Sequence, residues 1–155
     1  MAHRRLALTT VLSGLFVSGL ANGGSTSANL LVRATVAPYL EHRILHEQSG
    51  LLVSGFDLVR GYKDVNAGTI ASISTNSPNG YVLSIFCSES PTIAFVEVTV
   101  DGRTSSLTCS GAIDMILSKD NPITDVRRIS YRFYFSQEAS AGMFPWPMQL
   151  AISSV

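Results

Sequence analysis

The sequence predicts an all-β protein built as an antiparallel sandwich, and three observations carry that expectation. Apolar and polar residues alternate with a period of two in segment after segment, and those segments are rich in Val, Ile, Phe, Tyr and Thr. Gly, Pro, Asn and Asp punctuate them at spacings of about ten residues, the pattern of short strands joined by tight turns. The third observation is bulk: the chain has 155 residues, 46% hydrophobic and 14% charged, enough apolar material for the core of one domain. The apolar fraction excludes a disordered chain. Eleven basic groups balance eleven acidic ones, so the clustered basic surface that nucleic acid requires is not expected.

The N-terminus is read first and set apart from the fold. Arg4 and Arg5 precede an uncharged run, LALTTVLSGLFVSGLA, over residues 6–21, and small residues follow. A positive flank, an apolar run and small residues form the layout of a secretory signal peptide. Cleavage after Ala21 is expected, with later positions up to Ala28 also open, leaving residues 22–155 as a single mildly acidic sandwich domain. The run is about 16 residues and contains Thr, Ser and Gly, short of the ~20 apolar residues that span a bilayer, so the mature chain is expected to carry no stable membrane anchor. Export gives the two cysteines a meaning. In an oxidising compartment Cys87 and Cys109 form one disulfide, worth about 3 kcal/mol through the loop that it closes.

Leu30, Val32, Ala34 and Val36 line one face of a first strand over residues 30–37. Residues 51–59 form a second, interrupted by Gly55, and 69–75 a third, with Ala71 and Ile73 alternating against Ser72 and Ser74. The turn sequence Asn76-Ser77-Pro78-Asn79-Gly80 predicts a hairpin into residues 81–87 (YVLSIFC). Residues 93–100 (IAFVEVTV) are the strongest strand by β-branched content, and Asp101-Gly102 turns the chain into 104–109. Residues 111–119 read as a single helical turn or as a strand with Ile113 and Met115 on one face. Strands over 129–135 (ISYRFYF) and 148–154 end the series.

Candidates for chemistry are few, and neither a catalytic residue nor a cofactor site is expected. His42 and His46, flanked by Glu41 and Glu47, have a spacing that suits a metal on a helix, but the local pattern is β-like and no third ligand lies nearby. On a strand the same spacing puts both histidines on one exposed face beside Ile44. Asp114, Asp120, Asn121 and Asp125 lack the alternating acidic residues and central Gly of a calcium loop, and Asp120-Asn121-Pro122 reads as turn chemistry. No G-x-S-x-G elbow surrounds Ser54, and no phosphate-cradling Gly-rich loop is present. Trp146, the one tryptophan, sits between Pro145 and Pro147; those prolines must start or edge a strand. Trp146 is therefore a rim aromatic, either plugging the end of the sandwich or offered to a partner.

Two C-terminal features carry a resemblance. Tyr131-Arg132-Phe133-Tyr134-Phe135, then Ala141-Gly142-Met143-Phe144, leads into a hydrophobic last strand near the chain end. This arrangement resembles bacterial fimbrial subunits of the chaperone–usher type, and residues 69–85 are similar to a hairpin of pilin-like secreted proteins. The resemblance implies a non-enzymatic structural or adhesive subunit of a surface fibre, or a pilin-like accessory of its assembly. It further implies an immunoglobulin-like sandwich that lacks one strand. A periplasmic chaperone fills the gap before the usher step, and a neighbouring subunit's N-terminal extension fills it in the fibre. Residues 22–29 (NGGSTSAN) are too polar to donate, which leaves Leu30, Val32, Ala34 and Val36 as the candidate exchanged strand. The competing expectation is a self-contained periplasmic binding or inhibitory module that uses loops 89–92 and 119–128 of a complete sandwich.

Export makes a direct prediction. Intact-mass analysis of periplasmic material shows a mature N-terminus between Asn22 and Asn29, and Cys87 and Cys109 resist thiol labelling until reduced. A product that retains Met1 and labels without reduction overturns it.

Overall fold

A computed structural model of the chain describes residues 36, 37, 39–117 and 124–155. Along them run β1 (Leu40–Glu47), β2 (Gly50–Val53), α1 (Gly55–Arg60), β3 (Tyr62–Thr75), β4 (Tyr81–Cys87), β5 (Ile93–Val100), β6 (Arg103–Thr108), β7 (Ala112–Leu117), β8 (Asp125–Phe135), β9 (Gly142–Pro145) and β10 (Met148–Ser154). The protein is all-β with antiparallel pairing. A five-stranded sheet in the order β1-β3-β8-β5-β6 and a three-stranded sheet β10-β4-β7 enclose one core in a sandwich-like arrangement, with a two-stranded ribbon β2-β9 beside them.

The alternation seen in the sequence produces that core. Val96, Val98 and Val100 of β5, and Ile129, Tyr131 and Phe133 of β8, face inward from the large sheet; Tyr81, Leu83 and Ile85 of β4 meet them from the small one. β5 and β6 form the hairpin read from Asp101-Gly102; both residues adopt positive φ (51° and 77°), the twist that a two-residue turn needs. Of residues 111–119, Ala112–Leu117 form a strand, β7, with Met115 and Leu117 buried and Ile113 half-buried on the same face, and 118–119 lie outside the described residues.

Four expectations are corrected or displaced. The first predicted strand, residues 30–37, lies outside the described residues except for Val36 and Ala37, which precede β1 and are exposed. Residues 51–59 are not one strand. β2 stops at Val53 and Ser54 caps a helix: its Oγ accepts from the Asp57 N–H (3.2 Å), and its own N–H donates to Asp57 Oδ2 (2.9 Å). That reciprocal pair is a capping box, and it overrides the apolar run that suggested a strand. The third correction concerns residues 76–80, which join no hairpin: β3 belongs to the five-stranded sheet and β4 to the three-stranded one, so this turn carries the chain between layers.

The fourth correction concerns the histidines. β1 is a strand, but a bulge between Ile44 and His46 shifts its register against β3. His42 pairs opposite buried Ile73 and faces inward, while His46 pairs opposite Ile70, on the outer face. One inserted residue flips every later side chain, so the two histidines part. A second bulge, between Val65 and Thr69 of β3, contains Ala67 at φ 49° and Gly68. A Cβ on Gly68 would lie 3.0 Å from side-chain atoms of Trp146, Tyr131 and Val65 alike, so a larger residue here would have to push these side chains aside.

The Ser54–Asp57 cap makes a pH-dependent prediction. Hydrogen bonds from Ser54, side chain first and backbone second, outweigh burial and, with Lys63 Nζ at 3.1 Å, hold the Asp57 carboxyl at about 2 against an ordinary 3.8. A carboxyl depressed in the folded state contributes stability that is present above its ordinary pKa and lost as the pH falls through the folded value. Urea unfolding therefore shows the stability gap between wild type and Asp57→Asn closing from pH 4 to pH 2, and Ser54→Ala costs about 1 kcal/mol at neutral pH. A gap that stays constant over that interval overturns the assignment.

Candidate functional site

The two lateral sides of the sandwich are built differently. On one side, β6 passes directly into β7, and so from the large sheet to the small one, through residues 109–111. Cys109 is bonded there to Cys87 at the end of β4, confirming the pairing expected from the sequence. Backbone bonds reinforce the corner: the Ser110 N–H donates to the Cys87 carbonyl (2.8 Å) and the Cys87 N–H to that of Gly111 (3.1 Å). A bridge across 22 residues adds about 3 kcal/mol by restricting the unfolded chain. This side is crosslinked, although β6 and β7 are edge strands of their sheets as well.

The opposite side is bounded by β1 and β10, and among the described residues each has a ladder partner on one flank only. β10 pairs with β4 from Met148 opposite Cys87 to Ser154 opposite Tyr81. Its inward residues become less covered toward the C-terminal end: Met148 is buried, whereas Leu150 and Ile152 are only partly so. β1 is barer still. Leu40, His42 and Ile44 share the inner face by register, yet Leu40 is half-buried and His42 and Ile44 are exposed. Glu47, inward again after the bulge, lies near enough to buried Tyr131 to help burial raise that phenol to about 12.

The chain entering β1 is held in place by polar contacts. The Tyr39 N–H donates to Asn76 Oδ1 (2.8 Å), Asn76 Nδ2 donates to the Ala37 carbonyl (2.8 Å), and Thr75 Oγ1 donates to the Tyr39 carbonyl (2.8 Å). These bonds fix the start of β1 to the turn that links the two sheets. Large apolar residues before and along β1, Val36, Tyr39, Ile44 and Leu45, remain substantially exposed. The open side is thus an edge of backbone donors and acceptors bordered by uncovered apolar side chains. Such an edge can accept an added strand.

The other residues singled out from the sequence do not converge. Leu30, Val32 and Ala34 lie outside the described residues. Asp120 and Asn121 do too, while Asp114 accepts from Ser84 Oγ (2.6 Å) on the small sheet. Asp125 lies in a buried cluster with Arg127 and Tyr81: the Tyr81 O–H donates to Asp125 (2.7 Å) and accepts from Arg127 Nε (2.8 Å), and Arg127 also pairs with Asp101. Burial, with Asp125 second, pushes the Tyr81 phenol up; the cluster ties the two sheets together at this end. Residues 125–128, expected in a loop, belong to β8. Among the described residues no group of three or more His, Cys, Asp or Glu side chains has metal-site geometry.

Trp146 plugs the end of the core. Its ring meets Tyr131 and Phe133 edge-on, with centroids 5.4 and 5.5 Å apart, and it is half-buried. Pro145 closes β9 and Pro147 precedes β10, as their missing donors require. On its other side Trp146 borders a cavity of about 310 Å3 with Phe144, Ile93 and residues 88–92. Its indole N–H is buried without an acceptor among the described residues. β9 itself went unread in the sequence because four residues between Gly142 and Pro145 carry too little periodicity.

Comparisons with protein-family models, with curated proteins and with solved structures returned no match.

The plug makes its own prediction. Trp146→Phe retains the ring contacts and removes the unpaired donor, so chemical denaturation shows a change of less than about 1.5 kcal/mol. Trp146→Ala opens a void against Tyr131 and Phe133 and costs about 3 kcal/mol. Equal losses in the two variants overturn the plug role.

Proposed function

We propose that this chain is a non-enzymatic structural or adhesive subunit of an exported bacterial surface fibre, or an accessory of its assembly. In this reading its sandwich is immunoglobulin-like and is completed by a strand supplied in trans. The observation that carries the reading is the side bounded by β1 and β10, where Leu40, Ile44, Leu150 and Ile152 are incompletely covered beside strand edges that have no partner among the described residues. An exposed edge next to apolar side chains is an aggregation hazard unless something occupies it. A donated strand satisfies both deficits together, its backbone pairing with the edge while every second side chain enters the groove.

The sequence supports the compartment and supplies a donor. The signal-like N-terminus and the Cys87–Cys109 bridge suit an oxidising, extracytoplasmic location. Leu30, Val32, Ala34 and Val36 alternate as a groove-filling segment must, and they are the donor residues of this proposal. The partners are neighbouring fibre subunits, with a periplasmic chaperone and usher handling the open side beforehand.

The test is Ala34→Asp. In a donor strand the carboxylate enters a neighbour's groove, so assembly into oligomers stable to cold detergent is lost while the purified monomer keeps its cooperative thermal transition. In a self-contained sandwich the same residue belongs to the domain's own first strand, and a buried unpaired charge removes the transition. A wild-type monomer that melts cooperatively, paired with a variant that does not, overturns strand exchange and favours the self-contained binding module.

A further inference from the structure

The outer face of the five-stranded sheet carries a second site, distinct from the open side. Register places Asp64 of β3, Arg132 of β8 and Glu97 of β5 in one row across three strands. The next row sets Ser130 of β8 beside Thr99 of β5 and Thr104 of β6. Asn66, at the β3 bulge, borders the same cavity of about 400 Å3, within the range of small-molecule sites. On the other flank of the charged row stand Tyr62, Tyr134 and Phe95, aligned by the same register.

The polar groups hold one another in position. Arg132 Nε donates to Asp64 Oδ1 (2.6 Å), the Tyr134 O–H donates to Glu97 Oε2 (3.0 Å), and the Thr99 and Thr104 hydroxyls share a hydrogen bond (2.9 Å). Ser130 Oγ accepts from the Ala67 N–H (3.0 Å), which ties the bulge to the cavity floor. Stability does not explain the arrangement. The Asp64–Arg132 pair has side chains 37% and 43% exposed, and exposed ion pairs contribute about 0–1 kcal/mol. Fixed, partly solvated donors and acceptors around a cavity instead lower the cost of ordering a ligand.

We propose that this cavity binds an uncharged saccharide. Two carboxylates offer acceptors, Asn66 and Arg132 offer donors, and the Thr and Ser hydroxyls serve as either, which matches the alternating requirements of neighbouring sugar hydroxyls. Arg60 also pairs with Asp64 (3.5 Å), so the Asp64 and Glu97 carboxylates are balanced by the Arg60 and Arg132 guanidinium groups, and a site without net charge suits an uncharged ligand better than a phosphate or an acidic sugar. A cation fares no better: Arg132 occupies the centre of the charged row. The ring faces are taken as well, with Phe95 stacked on Tyr134 at 4.2 Å and Tyr62 covered by the Arg60 and Arg132 guanidinium groups at 4.2 and 4.7 Å. The aromatic row therefore forms a wall beside the sugar. This assignment does not depend on strand exchange.

Ligand-observed NMR and calorimetry on the disulfide-intact mature chain test it. The probes are glucose, galactose, mannose and N-acetylglucosamine, with glucuronate and putrescine as anionic and cationic comparators. At least one neutral sugar binds saturably, and glucuronate and putrescine bind more weakly. Glu97→Gln and Asn66→Ala each weaken binding roughly tenfold, the value of one hydrogen bond, without changing the thermal transition. Thr104→Val, at an exposed position on β6, provides an independent variant with the same expectation should either of the others unfold. Saturable binding of putrescine or glucuronate in place of the neutral sugars, no binding of any neutral sugar, or sugar binding untouched in every folded variant overturns the proposal.

Discussion

The two sheets of this protein differ in width, and most of the structure is a response to that mismatch. Strands lie about 4.8 Å apart, so five span about 19 Å between outer axes and three span about 10 Å. The small sheet cannot cover the inner face of the large one. The disulfide and the direct β6-to-β7 passage pin the sheets together along one side, and no such crosslink joins β1 to β10 on the other among the described residues. There β1 extends past its cover, and residues that face inward by register are still exposed.

At one end the shortfall is made good by the chain itself. The β2-β9 ribbon brings Leu51 and Val53 into the core, and Trp146 fills the space against Tyr131 and Phe133. That filling requires the β3 strand to come unusually close, and the bulge with Gly68 permits it. The same bulge leaves Asn66 beside the outer cavity and the Ala67 N–H bonded to Ser130 Oγ. One local irregularity thus acts on both faces of the sheet, sealing the core on one and shaping a polar depression on the other. Bulges bend and re-aim strands in this way.

Against this frame the two proposed activities occupy separate surfaces. The open side offers backbone edges and apolar side chains, chemistry suited to another strand. The outer face offers orientated carboxylates, an amide and hydroxyls, chemistry suited to a small polar molecule. Ser54, the residue whose setting would have mattered most for a hydrolase, is committed to capping α1 and hydrogen-bonds to Asp57 through both backbone and side chain. The cysteines are likewise committed to a bridge, leaving no free thiol.

Period-two alternation, turn residues and an even cysteine count were sufficient in the sequence to define the all-β class, the β5–β6 hairpin, β4, β10 and the Cys87–Cys109 pairing. These are local signals: a strand's buried face, a two-residue turn and a bond between the only two thiols need no knowledge of distant partners. Only the tertiary structure decided which sheet each strand joined. The turn at residues 76–80 has the composition of a hairpin turn whether it pairs β3 with β4 or carries the chain between layers, because the choice rests on long-range pairing of β3 with β8 and of β4 with β10. The bulges were hidden for the same reason, since Gly68 packs tightly under a tryptophan far along the chain. The S-x-x-D spacing of Ser54 and Asp57 is a capping signal that the strand reading of residues 51–59 leaves out, because the apolar residues around it fit a strand as well. The Asp64–Arg132–Glu97 row could not be read at all, because three strands distant in sequence supply one residue each and register alone brings them together.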